Sequence, residues 1–313
     1  MRAVDAVHGH VRVGLALSGG GSRGLAQLGV LKVLEREGVP IDLVAGTSIG
    51  SVVGGIYACL GNALATEARV LETVRSGPMQ GLDLDRILKL SGVSPVSSEG
   101  ADTPRIGLLG RAQHLLRRMY VSHAALTRPA VLDGAAVIEV FEGLFEGRTF
   151  DQTAIPFAAV AVDVEEGCEV IVANGSIARG VAASSAIAGI FPPVVIEGRK
   201  LIDGGYTSPV PIDAAQMLGA NVVIAVDVSQ RGRDTGGLEN AVEVAMRSSE
   251  ISLEALEQEQ LRRADVVIPA HGALRHWSDY SAPREAIDAG ERATERLVNG
   301  IHEVIRERAR LFV

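Results

Sequence analysis

Two strand–glycine turn–helix units stand in tandem near the start of the chain, and they limit its fold more than any other feature. VRVGLAL (11–17) is short and apolar and reads as a strand. SGGGSRG (18–24) follows. LAQLGVLKVLERE (25–37) then carries Leu28, Leu31 and Leu34 near helical spacing, with Gly38 as a stop. DLVAG (42–46) reads as the next strand and 49–60 as the next helix. Parallel neighbours need a crossover, and a crossover helix must bury its apolar side on the sheet. The order therefore predicts parallel strands with helices on both faces.

More strands are expected at FAAVAVD (157–163), CEVIVA (168–173), NVVIAVDV (221–228) and ADVVIPA (264–270). Glu165-Glu166-Gly167 joins the first two as a hairpin, and VVIEGRKLIDGG (194–205) reads as another tight connection. Residues 238–263 and 284–310 read as long charged amphipathic helices, and 228–237 as a loop. No repeat and no linker rich in Pro, Gly or Ser divides the chain. The expectation is one domain over 1–313, a three-layer α/β/α fold on a central, mostly parallel sheet. Its core would span about 11–228, with a helical insertion at about 82–132 and a helical region at about 238–313.

The 313 residues are 47% hydrophobic and 22% charged, enough to bury a sizeable core. The net charge of −8 lacks the basic footprint of a nucleic-acid binder. Cys59 and Cys168 offer neither a disulfide framework nor metal-ligand spacing. MRAVDAVHGHVRV does not read as a signal peptide, because Asp5 and Arg12 interrupt it. Residues 43–66 and 180–196 are free of charge, but five glycines in the first and Pro192-Pro193 in the second argue for buried core rather than membrane spans. The expected setting is cytoplasmic or peripherally membrane-associated. Nothing in the sequence sets the oligomeric state.

Gly19, Gly21 and Gly24 have the G-x-G-x-x-G spacing of a dinucleotide loop. That reading needs an acidic residue about 20 positions on, at the end of the second strand. Asp42 has the distance but opens its strand. The strand ends in GTSIG (46–50), a G-x-S-x-G elbow in which Gly46, Thr47, Ile49 and Gly50 surround Ser48. Between strand and helix, such a turn presents a serine hydroxyl as a nucleophile, although a serine there also caps a helix. The glycine loop then gains a second use, since backbone amides at a helix start can receive the oxyanion a serine attack creates. Arg23 is open between shaping the loop, attracting a phosphate-bearing head group and simple solvation. A base is also needed. Of the seven histidines, only His271, His276 and His302 follow the other parts, and none has a distinctive setting. Asp203-Gly204-Gly205 ends an apolar strand, placing a carboxylate at a pocket or forming a plain D-G turn.

Four blocks in this order carry a resemblance: SGGGSRG (18–24), GTSIG (46–50), AASSAIAGIFPPV (182–194) and DGG (203–205). Over roughly 11–310 the chain resembles a patatin-like phospholipase of the short bacterial type. WSDY (277–280) and EAIDAGERA (285–293) resemble the C-terminal helix region of that group, and Ala188 stands where a proline is expected. The resemblance implies the patatin-like fold and a Ser-Asp dyad without histidine. Ser48 would be the nucleophile and Asp203 the base. Gly20 and Gly21 would be the main oxyanion donors in a loop completed by Gly19, Ser22, Arg23 and Gly24, and Gly204 and Gly205 would complete the acid motif. It implies no metal and no cofactor.

Residues 103–132 contain no acidic side chain and hold Arg105, Arg111, Arg117, Arg118 and Arg128. Apolar side chains recur there at helical spacing, as in basic helices that lie on anionic membranes, although a core-packed helix has the same pattern. The expected activity is hydrolysis of carboxylic esters of phospholipids or lysophospholipids, with possible membrane contact through 105–128. Three alternatives stay open: a conventional Ser-His-Asp esterase, a nucleotide-binding enzyme, and a catalytically weak lipid-binding regulator.

Overall fold

The computed structural model describes residues 10–75, 130, 134–229, 241–272 and 279–312. Apart from Ala130, the insertion expected over 82–132 lies outside the described residues, as does most of the expected loop 228–237.

The two opening units form as the sequence predicts. Strand β1 (Val13–Leu17) leads through the glycine loop and a short 3-10 turn into helix α1 (Ala26–Arg36), and β2 (Leu43–Thr47) leads through the elbow into α2 (Ile49–Leu60). Helices α3 (Ala63–Arg75) and α4 (Gly134–Phe145) precede β3 (Phe157–Asp163) and β4 (Cys168–Val172), which pair as the expected antiparallel hairpin. Helix α5 (Ile177–Ser184) precedes a second hairpin, β5 (Val194–Ile196) with β6 (Arg199–Asp203). Then come α6 (Ile212–Met217), β7 (Val222–Asp227), α7 (Ala241–Leu261) and β8 (Val266–Pro269). The expected helix over 284–310 is two, α8 (Pro283–Glu295) and α9 (Val298–Arg310). They part at a tight turn where the Leu297 amide bonds the Thr294 carbonyl at 2.9 Å.

The eight described strands make one sheet in the order β5-β6-β3-β2-β1-β7-β8, with β4 on the second edge of β3. β1, β2, β3, β7 and β8 pair in parallel; β4 and β6 run opposite to them, and β5 pairs antiparallel with β6. The side-chain period of two divides the core. Val13, Leu15, Leu17, Val44, Phe157, Ile224 and Val226 point into one apolar layer with α1, α2, α5 and α8. Ala16, Leu43, Ala45, Val160, Val223 and Ala225 point into the other, beneath Ile212 and Ala215 of α6 and Leu261 of α7. Continuous apolar strands follow from this burial on both faces. The uncharged stretches 43–66 and 180–196 are strand and helix of these layers, and no described helix is long and apolar enough to cross a membrane.

α1 and α8 cross with backbone against backbone. A Cβ on Gly29 would stand 2.0 Å from the Ile287 carbonyl oxygen, and one on Gly290 would stand 1.9 Å from that of Ala26. Lys32 on α1 bridges Glu291 on α8 and Glu67 on α3, the latter at 3.0 Å. Helix α8 is thus fixed to the helix that begins at the glycine loop.

Candidate active site

Ser48 occupies the turn between β2 and α2 with φ 54° and ψ −124°, a backbone conformation that L-residues avoid. Its neighbours leave it no other. A Cβ on Gly46 would lie 2.3 Å from the Gly50 carbonyl oxygen, and one on Gly50 would lie 2.1 Å from that of Leu17. Only glycine at both positions allows so sharp a turn so close to β1. The Ser48 carbonyl accepts from the Ser51 amide at 2.8 Å and the Ser51 hydroxyl at 2.6 Å. Its amide donates to the buried Ser184 hydroxyl at 3.0 Å. Thr47, fully buried, donates its hydroxyl to the Ser208 carbonyl at 2.7 Å, tying the elbow to the chain after DGG. The Ser48 side chain remains partly exposed.

Strand pairing explains how Asp203, 155 positions later, reaches this serine. β4 pairs with Ala159–Asp163 of β3, so it fills one edge. β2 pairs with residues 157–160 of β3 and β6 pairs with 161–163, so both must use the other edge. β2 runs up that edge and ends with Thr47 opposite Val160; β6 runs down it and ends with Asp203 opposite Ala161. Their C-terminal ends meet head-on at adjacent rungs. The Ser48 hydroxyl reaches the Asp203 carboxylate, which also accepts the Gly205 amide at 2.8 Å. Burial, the largest influence, pushes this carboxyl up to about 6, while those two donors hold it down. A Cβ on Gly204 would stand 2.2 Å from the Val160 carbonyl, so glycine is needed for the chain to turn off β3.

The glycine loop lies on the other side of Ser48, and a Cβ on Gly19 would be 3.5 Å from the Ser48 Cβ. Gly20 and Gly21 have φ of 153° and 59°. Among the described residues neither of their amides has a backbone acceptor. The Gly19 amide donates to the Pro209 carbonyl at 3.0 Å and so ties the start of the loop to the chain after DGG. Gly24 packs against Ile49 with no room for a Cβ, and Ser22 is buried. Arg23 shapes the loop: its Nε donates to the Gly20 carbonyl at 3.1 Å. Burial lowers its pKa, opposed by Glu257, Glu250 and Asp227.

Asp42 caps the far end of the sheet, where its carboxylate accepts the Val13 amide at 2.7 Å. It lies at the opposite end of the strands from the glycine loop and cannot serve a ribose there. His302 bonds the Glu37 carbonyl at the end of α1, and His276 lies outside the described residues. His271 pairs with buried Asp227, the last residue of β7, at 3.1 Å.

Sequence reasoning missed Ser184 and Gln27. Fully buried Gln27 donates to the Ser18 carbonyl at 2.7 Å and steadies the loop from α1. A polar residue on the otherwise apolar face of 25–37 was the available signal. Ala188, in place of the expected proline, lies in a turn closed by Ile187, whose carbonyl accepts from Ile190 and Phe191.

The family model described as patatin-like phospholipase matches residues 15–216. Patatin-like phospholipase domain-containing protein 6 of Homo sapiens is 32% identical over 221 residues, covering 70% of this chain but 13% of that protein. Lysophospholipase NTE1 of Kluyveromyces lactis is 32% identical over 219 residues, covering 69% of this chain and 12% of that protein. The chain therefore spans only about an eighth of the length of these relatives. VipD from Legionella pneumophila is similar at 15% identity and a TM-score of 0.47, over 93% of this chain and 67% of that one. The family model covers well over half of the chain, and the chain belongs to the patatin-like phospholipase family.

Proposed function

We propose that this protein is a serine acyl hydrolase that cleaves carboxylic esters of phospholipids or lysophospholipids with a Ser48–Asp203 dyad. One observation carries the reading: a serine on a strained elbow engages a buried carboxylate, beside glycine amides that have no backbone acceptor among the described residues. Asp203 takes the hydroxyl proton as Ser48 Oγ attacks the ester carbonyl. The Gly20 and Gly21 amides receive the negative charge that develops on the carbonyl oxygen. The alcohol, a lysophospholipid or a glycerophosphoryl head group, departs with the proton from Asp203. Asp203 then takes a proton from water, the hydroxide releases the fatty acid from the acyl-serine, and the proton passes to the departing Ser48 Oγ. The names of the NTE1 relatives support the lysophospholipid class. The basic stretch 105–128 lies outside the described residues. We extend the proposal to membrane contact there, and Arg111, Arg117 and Arg118 changed to Ser should weaken binding to anionic vesicles.

A fluorophosphonate probe followed by mass spectrometry tests the nucleophile. Label is expected on Ser48 and nowhere in Ser48→Ala; label on another serine refutes the assignment. The base sets the pH dependence. Asp203 acts only when ionised, and its carboxyl is raised to about 6. kcat/KM should therefore rise with pH through about 6 and level off above. An acid limb below pH 4 would show that another group titrates.

The His271–Asp227 pair favours a second reading, a conventional triad. His271→Ala separates the two. The dyad predicts kcat within about threefold of wild type, while loss of a triad histidine costs roughly 10⁴-fold or more.

A further inference from the structure

We propose that residues Ser184–Ala186 form a strap that sets the separation of nucleophile and base, with Ser184 as the positioning residue that acts on Ser48. This rests on the dyad reading above. A positive φ at a residue with a Cβ relaxes unless its surroundings over-determine it. At Ser48 the carbonyl is held within its own helix, by Ser51 and Val52. The amide is held from outside, by the Ser184 hydroxyl at 3.0 Å. Ser184 is fully buried, so removing its oxygen leaves that amide without an acceptor. Two residues on, the Ala186 carbonyl accepts the Asp203 amide at 3.0 Å. The last turn of α5 locks these two acceptors together: the Ser185 amide bonds the Val181 carbonyl at 3.0 Å and the Ala186 amide bonds that of Ala183 at 3.2 Å. One turn of chain thus grips the backbone of both Ser48 and Asp203 and fixes the distance across which the proton moves.

The adjacent Ser185 supplies a comparison. Its hydroxyl is also buried but has no partner among the described residues. The experiment measures the second-order rate of fluorophosphonate labelling, kcat and KM on a soluble ester, and the kcat/KM pH profile. Wild type and Ser48→Ala are measured first, then Ser184→Ala, Ser184→Cys and Ser185→Ala. A thiol fills nearly the same space but is a weak acceptor. Both Ser184 variants should label roughly tenfold more slowly, with KM within about twofold. Their acid limb should move to higher pH, because a displaced Ser48 no longer holds the Asp203 carboxyl down. Ser185→Ala should match wild type. A wild-type rate in Ser184→Cys overturns the proposal, as does an equal fall in Ser185→Ala, which would point to packing alone. If Ser184→Ala does not fold, the Cys variant decides. Failure of wild type to label would overturn the nucleophile assignment itself, and the strap with it.

Discussion

Asp203→Asn is expected to give a protein that is nearly inactive yet more stable than wild type at pH 8. On the proposed dyad the fall in kcat follows from losing the base, and by comparison with other catalytic carboxylates it should be about 10⁴-fold. The stability gain follows from burial. The carboxyl titrates at about 6 in the folded protein against an ordinary 3.8. The folded state therefore binds the proton more tightly than the unfolded state. Stability from that proton is complete below pH ~4, falls between pH ~4 and 6, and is lost above. At about 1.4 kcal/mol per pKa unit, ionisation costs the wild type roughly 3 kcal/mol at neutral pH. Asparagine never ionises and still offers an oxygen to Ser48 and to the Gly205 amide. Urea melts of both proteins from pH 4 to 8 check this. The gap should be largest at pH 7–8 and close towards pH 4. A gap that does not change with pH would mean that desolvation of the charge is not its source. On the proposed dyad, a base kept ionised in this site would lower stability, as in other active sites.

The second large effect is expected far from the chemistry. Gly290→Ala, or Gly29→Ala, should destabilise the fold by about 3 kcal/mol or more. Alanine is ordinarily the better helix former, by about 1 kcal/mol. Here its methyl would have to enter the space of a backbone carbonyl oxygen, at 1.9 or 2.0 Å. No side-chain rotation relieves such a contact, so α1 and α8 must separate, which strains the Lys32–Glu291 pair and the packing of Ile287. Overpacking of this kind usually costs about 1–3 kcal/mol and more where backbone blocks backbone. Because α1 begins at the glycine loop, kcat should fall as well. Thermal melts and soluble-ester kinetics read both effects. A melting temperature equal to wild type would show that the helices can part freely.

Much of this fold is legible in the sequence. Val13–Leu17 and Leu43–Thr47 announce themselves because they are buried on both faces and bounded by glycine turns. Gly46 and Gly50 flag the elbow because the chemistry of that turn is local. What stayed hidden was what depends on distant partners. The Gly19 amide looks like its neighbours in sequence, and only the fold delivers Pro209 to it. Asp203 could be a plain turn residue until the pairing of β3 sets it at Ser48. Gly29 reads as a mild defect in a helix until α8 lies across it. The break between α8 and α9 is similar, since the charged periodicity runs on through Arg296 and hides the turn.

The head-on meeting of β2 and β6 along β3 has a consequence for how such a site can change. A strand advances about 3.3 Å per residue and turns its side chains over at every step. Gaining or losing one residue in β6 would not nudge Asp203 along the edge. It would point the carboxylate into the opposite layer of the protein, and the next usable position lies two residues, about 6.6 Å, away. The separation of Ser48 and Asp203 is therefore discrete. Insertions and deletions in β6 can abolish it but not adjust it, and finer variation is left to the groups that tilt a side chain or shift a backbone within a fixed register.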